Sequence, residues 1–222
     1  MAGRLLVVSG TGTGIGKTHV SEALLRALRK TFSRVAGLKP IESGVGAGGL
    51  TDAQRLDDAA SFHVKHLGYR FAEPLSPHLA ARQSGQTIEL GAIRSIVEGV
   101  REGADLTLVE LPGGLFSPLS QSLLNVDVAR DLDADFVLLV APDRLGVLHD
   151  VLAATRAAAS VGLAFSAVVL VAPEAPDPST GRNALELLLF IAPMLIYELP
   201  RASVTDLTGH SSLVALARAI ST

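Results

Sequence analysis

Residues 10 to 18 read Gly10-Thr11-Gly12-Thr13-Gly14-Ile15-Gly16-Lys17-Thr18, a set of types suited to phosphate. Closely spaced glycines let backbone N–H groups turn toward one centre, a lysine adds a full positive charge, and a threonine hydroxyl can ligate a magnesium ion. The usual phosphate-binding pattern is a glycine, four residues, then Gly-Lys-Ser/Thr. Counting back from Gly16-Lys17-Thr18 places that first glycine at position 11, which is Thr11, and the glycine stands one place earlier, at Gly10. This loop is one residue longer than the pattern. A glycine-rich turn entering a helix would account for the glycines, but not for Gly-Lys-Thr at its end. No Gly-x-Gly-x-x-Gly run falls within residues 10 to 18, so the stretch is not a dinucleotide fingerprint.

Three more residues could work with this loop. Lys39 ends an apolar stretch beside Pro40, and Glu110 ends "DLTLVE" just before "LPGG", where Gly113 and Gly114 permit close approach of a ligand. A carboxylate at 110 suits Mg²⁺ as a hard oxygen ligand, directly or through water. Asp52 is a second acidic ligand if its loop folds back over the phosphates. Other polar residues carry less chemistry. His63 and His66 are read as helix neighbours at i, i+3 without a third metal ligand, and His78 in "SPH" is read as a helix-start residue. Ser76, Ser117 and Ser120 lack the Gly-x-Ser-x-Gly setting of a hydrolase nucleophile.

Strands alternating with helices must position these groups. "RLLVVS" reads as a buried strand, and "KTHVSEALLRALRKTF" as a helix with Val20, Leu24, Leu25 and Leu28 on one face. "RVAGLKP" is a second strand, stopped by Pro40. The Gly-rich "ESGVGAGGLTD" leads to a helix over about Asp52 to Phe62. A proline-bearing loop and short helix span "FAEPLSPHLAARQSG", and "IELGAIRSIVEGVREG" is a longer helix. "DLTLVEL", "DFVLLVA" and "AFSAVVLVA" are unbroken apolar runs, which suits parallel strands covered on both faces. "GVLHDVLAATRAAASVG", a further helix, the strand "PMLIYEL" and a terminal helix follow. The pattern predicts a single α/β domain over residues 1–222, a doubly wound, mostly parallel sheet of P-loop NTPase-like kind. Ligands of such sheets sit at the carboxyl ends of the strands, where residues 10 to 18 fall.

Composition narrows the function classes. The chain has 222 residues, 48% of them hydrophobic, a net charge of −3 and no cysteine. A broad nucleic-acid surface normally shows a basic excess, which is absent here. Zero cysteines leave no disulfide framework and no cysteine zinc site. The apolar runs are strand-length, well short of the roughly 20 residues of a membrane span. "MAGRLLVVSG" is too short an apolar run for a secretory signal, so a cytoplasmic location is expected, with no nucleic-acid and no membrane partner.

"GTGTGIGKT", "GLKPIESG", "FAEPLSPHLAA", "VELPGGLFSPLS" and "RLGVLHDVLAATRAAASVGL" together resemble the ATP-dependent dethiobiotin synthetases of biotin biosynthesis. The resemblance covers nearly the whole chain, and that family carries the longer loop. It implies an ATP-dependent cyclo-ligase that uses Mg²⁺. One amine of 7,8-diaminopelargonate takes up CO₂, from bicarbonate, as a carbamate. The carbamate attacks the γ-phosphate of ATP, and the second amine closes the ureido ring and expels phosphate. By motif position, Lys39 contacts carbamate and γ-phosphate and Lys17 the phosphates, as the catalytic pair. The metal falls to Thr18, Asp52 and Glu110. The nucleotide also meets Thr13, Gly14, Ile15, Gly16, His19, Leu111, Pro112, Gly113, Pro200, Arg201 and Ala202. Substrate binding falls to Ser43. The resemblance further implies a homodimer, in which the substrate's carboxylate lies against Gly146, Val147 and Leu148 of the neighbouring subunit, whose free N–H groups suit an anion.

Three departures stand out. "VELPGG" replaces the usual Glu-Gly-Ala-Gly-Gly, "GVLHD" has His149 and Asp150 where Asn-His is usual, and "AVVLVAPE" has Val171-Ala172 where Asn-Asp reads the adenine edge. A valine side chain neither donates nor accepts a hydrogen bond. The competing class is a partition- or septum-type ATPase switch. Such loops carry an extra lysine at the place of Gly12, and this chain lacks it. An amidotransferase-linked cobyrinate ligase would need a glutaminase cysteine and a second domain. A nucleotide-binding regulator without ligase activity is the third alternative.

Overall fold

The computed structural model describes residues 2–65 and 68–222. From the amino terminus run β1 (Arg4–Gly10), α1 (Lys17–Leu28), β2 (Val35–Leu38), β3 (Ile41–Ser43) and α2 (Asp52–Ala59). Next come β4 (Tyr69–Phe71), α3 (Pro77–Gln83), α4 (Leu90–Arg101), β5 (Leu106–Glu110) and α5 (Asn125–Asp131). The chain closes with β6 (Phe136–Pro142), α6 (Val147–Ser160), β7 (Ala167–Val171), α7 (Asn183–Ile191), β8 (Leu195–Leu199), α8 (Val204–Leu207) and α9 (Ser211–Ser221). Six strands form one sheet in the order β2-β5-β1-β6-β7-β8, every neighbouring pair parallel.

Because successive side chains of a strand point to opposite faces, each strand feeds two cores. Leu5 and Val7 of β1 join Leu38, Val109, Leu139 and Leu170 on the face covered by α4, α5, α6 and α7. Leu6 and Val8 join Leu108, Leu138, Val140 and Val169 on the face covered by α1, α2, α8 and α9. Covering both faces explains the unbroken apolar runs, since each such side chain contributes about 1.5–3 kcal/mol when fully buried. The doubly wound parallel sheet expected from the sequence is therefore the observed one.

Differences are confined to short elements. The helix expected over about 52 to 62 ends at Ala59, because Ala60 turns extended (ψ 167°) and its N–H folds back onto Leu56 and Asp57. His63 is thus not helical, and its Nδ1 lies 3.3 Å from Asp57 Oδ2; His66 lies outside the described residues. The small parallel pair β3–β4 and the helices α5 and α8 were not foreseen, each being too short to print a period.

Candidate nucleotide and metal site

At the centre of the sheet, β1 lies between β5 and β6. The loop leaving β1 therefore emerges beside the end of β5, with Val8 level with Glu110. Thr11 N–H is tied to Val140 O at 3.0 Å, and Gly10 O accepts from Leu115 N–H at 3.1 Å. Gly16 caps α1 at φ 94°, ψ 13°, a left-handed conformation that only glycine adopts without strain. This turn aims the start of α1, and the positive end of its dipole, into a cavity of about 580 Å³.

Lys17 and Thr18 of α1, Lys39 directly after β2, Asp52 of α2 and Glu110 at the end of β5 all come together there. Glu110 is fully buried, a placement that would cost several kcal/mol for an unpaired charge. Its Oε1 accepts from Thr18 Oγ1 at 2.8 Å and from Lys39 Nζ at 2.7 Å, and its Oε2 accepts from Ser21 Oγ at 2.7 Å. Lys39 Nζ also donates to Asp52. Lys17 Nζ donates to Gly12 O at 2.6 Å. Burial lowers Lys17 from its ordinary 10.5 to about 8, with Glu110 opposing and Lys39 adding to the fall. Burial alone would lower Lys39 too, but Glu110 and Asp52 outweigh it and hold the ammonium above its ordinary value. Asp52 behaves in the mirror sense: burial would raise it, yet Lys39 and Thr18 keep its carboxyl below the usual carboxylate range.

The donor set fits magnesium. A hydroxyl and two carboxylates are hard oxygen ligands, and Mg²⁺ is typically bound through one or two carboxylates plus substrate phosphates. Thr18 and Glu110 are already within hydrogen-bond distance, and Asp52 adjoins both through Lys39.

Other expected residues divide. Thr13, Pro112, Gly113 and Ser43 line the same cavity. Ser43 Oγ there donates to Leu75 O at 2.6 Å. Leu111 does not line it: its side chain is fully buried in the core and its N–H is held by Val8 O at 2.9 Å. Around Pro112 the turn is held by Asn125, fully buried, whose side-chain amide donates to Pro112 O and Gly114 O. Neither Asn125 nor Ser21 was foreseen, because their partners, Pro112 and Gly114 for the first and Glu110 for the second, lie far from them in sequence. His78 is the second residue of α3, as expected for a helix start.

A second cleft of about 450 Å³ opens on the far side of the loop. Gly14, Ile15, Gly16 and His19 line it with Val171, Ala172, Arg201 and Ala202, while Pro200 follows directly on β8. His19 Nε2 lies 2.9 Å from Ala202 O, which joins the phosphate loop's helix to the chain after β8. Gly146, Val147 and Leu148 stand apart from both cavities, at the start of α6. The expectation of free N–H groups fails at Val147, whose N–H already donates to Arg144 O at 3.0 Å, because Gly146 turns at φ 94° and tightens the helix entry.

With this geometry the chain compares with known proteins as follows. A family model described as an AAA domain matches residues 4–218. An ATP-dependent dethiobiotin synthetase BioD from Caulobacter sp. (strain K31) is 39% identical over 204 residues, covering 86% of each chain. The protein of the same description from Frankia casuarinae is 35% identical over 217 residues, 96% of this chain and 90% of its own. Among solved structures, a ParA family ATPase from Chlorobium tepidum TLS superposes with a TM-score of 0.62 at 13% identity, over 98% of this chain and 99% of its own. The septum site-determining protein MinD complexed with Mg-ADP from Pyrococcus horikoshii OT3 gives 0.61 at 15% identity, over 99% and 96%. At such identities the likeness speaks for a shared P-loop ATPase fold and for nothing beyond it.

Proposed function

The chain belongs to the ATP-dependent dethiobiotin synthetase family, and we propose that the cavity around Lys39 is where it closes the ureido ring of dethiobiotin from 7,8-diaminopelargonate, CO₂ and ATP. The enzyme is an ATP-dependent cyclo-ligase, with ATP as co-substrate and Mg²⁺ as its ion. The observation that carries the site assignment is the buried network in which Lys39 pairs with Asp52 and Glu110 beside Lys17.

The reaction builds negative charge on a carbamate and a transferring phosphoryl group at one place. Phosphoryl transfer needs little covalent help from protein, so catalysis rests on positioning and on charge aimed at the transition state. Lys17, lowered by burial to about 8, donates to the Gly12 carbonyl beside the cavity and carries its charge to the phosphates in its protonated form. Lys39 keeps its proton firmly, which suits a group that must present positive charge to carbamate oxygen and γ-phosphate together. Bound magnesium supplies further neutralisation of the phosphates, and Thr18, Asp52 and Glu110 are the residues that would hold it. Ser43, which lines the same cavity, orients the diamine. The carbamate oxygen takes the γ-phosphoryl group and ADP leaves; the second amine then attacks the carbamoyl carbon, giving up a proton as its nitrogen forms the ring bond, and phosphate leaves with the former carbamate oxygen.

A homodimer completes the proposal. Leu145, beside the start of α6, is 76% exposed, and α7 next to it exposes Leu185, Leu189 and Phe190. A second copy covering this surface would bring its α6 start to the diamine, with Leu148 and His149 at the contact. Incubation with the diamine, bicarbonate and Mg-ATP is expected to give ureido product. Absence of product with a nucleotide-binding protein would sink the assignment and favour the regulator. Light scattering under active conditions is expected to give the mass of a dimer, and a monomer there would remove the shared site.

A further inference from the structure

We infer that Glu42 is a positioning residue for the metal: its buried carboxylate clamps the first turn of α2 and so holds Asp52 in place when Lys39 lets go. The inference rests on the reading that Asp52 serves the metal.

Glu42 sits in β3, immediately before Ser43, and is only 6% exposed. Its Oε1 accepts from Asp52 N–H at 2.6 Å and its Oε2 from Ala53 N–H at 3.2 Å. The next N–H, of Gln54, goes to Thr51 Oγ1 at 3.2 Å, and Gln54 returns a bond to Thr51 N–H at 2.8 Å. The opening N–H groups of a helix have no partner within it. Here a single carboxylate takes the first two, and its charge also meets the positive end of the helix dipole. Arg70, register partner of Glu42 across β3–β4, brings its Nε to 3.8 Å from Oε2.

The clamp matters because of what lies between its ends. The chain from Ser43 to Thr51 is glycine-rich, with Gly44, Gly48 and Gly49 all at positive φ, so the loop alone does little to hold α2 against β3. Asp52 is the first residue of α2, and the side-chain cation on its carboxylate is Lys39. During turnover Lys39 is wanted at the phosphates. Its departure leaves the Asp52 carboxylate with Thr18 and the pull of Arg55, and the Glu42 carboxylate fixes the backbone beneath it.

The test uses Glu42→Gln and Glu42→Ala in the full chain. In protein free of metal and nucleotide, amide hydrogen exchange at Asp52 and Ala53 is expected to quicken about tenfold or more, with α1 amides unchanged. Mn²⁺ binding to the ADP complex, followed by electron paramagnetic resonance, is expected to weaken about tenfold, in line with loss of a group that orients a metal ligand. ADP binding without metal should be unchanged. Wild-type Mn²⁺ affinity in a folded Glu42→Gln protein overturns the inference, as does unchanged exchange at Asp52 and Ala53. Should Glu42→Ala not fold, Glu42→Gln decides alone. Asp52→Asn separates the two levels: full Mn²⁺ affinity there removes the metal role of Asp52 itself, whereas the exchange data speak only to the clamp.

Discussion

The two ends of the nucleotide site are built on opposite plans. At the phosphate end, Glu110 is fully buried and saturated by Thr18, Ser21 and Lys39, so each charge depends on its neighbours. At the end proposed for the base, the cleft between the loop and β7 is walled by Ile15, Val171 and Pro173, and the ion pair at its mouth, Arg201–Glu174, spans 3.5 Å between side chains 60% and 86% exposed. Exposed pairs of that kind contribute about 0–1 kcal/mol, while removing one partner of a buried pair typically costs about 3–5 kcal/mol. Function that depends on the first plan should be brittle, and function that depends on the second should be tolerant.

Lys39→Met should show the brittle end at full size. It strips the buried Glu110 and Asp52 of their shared cation and removes positive charge from the transferring phosphoryl group. Loss of one such charge costs on the order of 3 kcal/mol in the barrier, about a hundredfold or more in turnover. Ureido product formation measures it, with circular dichroism confirming the fold. Near-normal turnover in a folded variant would sink the role given to Lys39 and much of the contrast between the two ends.

A smaller effect comes from Lys17. Its pKa of about 8 belongs to the site without nucleotide. Bound phosphates favour the protonated ammonium and raise that value, so binding takes up a proton wherever the free site has lost it. Nucleotide affinity should therefore be flat below about pH 7 and fall above about pH 8, by at most about tenfold per pH unit. Calorimetry in buffers of different ionisation enthalpy would detect the proton. Affinity that stays level to about pH 9, with no uptake, would contradict the burial-driven shift.

The brittle end was also the legible one. Gly16-Lys17-Thr18, Lys39 and Glu110 could be placed from sequence because strand ends and a loop-to-helix junction bring them to one sheet edge whatever the side-chain detail. Asp52 converged as well, but for a reason invisible in its own stretch: Glu42, ten residues earlier, holds the helix start. Leu111 misled because a strand's alternation continues one residue past Glu110 and turns that side chain into the core. Asn125 and Ser21 went unnoticed, since a buried amide or hydroxyl in a helix has no period and is recognised only through partners distant in sequence. At Val147 the helix start was foreseen, whereas the tight turn that occupies its N–H depends on local dihedrals.

Base choice is where the tolerant plan should show, and the expected effect is the smallest. A site that hydrogen-bonds a base edge rejects other bases strongly, because its own buried polar groups would be left unpaired. Val171 has no such group, and it packs beside Gly16. The backbone nearby is largely spoken for: Ala172 N–H donates to Leu199 O at 2.9 Å, Val171 O accepts from Asp143 N–H at 2.8 Å, and residue 173 is a proline without an N–H. Ala202 O is engaged by His19. The polar side chains that line this cleft include Arg55, already held by Glu22, and the exposed Arg201–Glu174 pair, whose exposure lets it meet more than one pattern of donors and acceptors. The backbone N–H groups and the Lys17 ammonium proposed for the phosphates carry no information about the base. ATP, CTP and GTP should accordingly differ in kcat/KM by no more than about tenfold, or about 1.4 kcal/mol. Steady-state kinetics with each nucleotide at saturating diamine and bicarbonate would measure the spread. A preference for ATP above about a thousandfold would mean that adenine is read by groups outside this cleft, and that the base end is as brittle as the phosphate end.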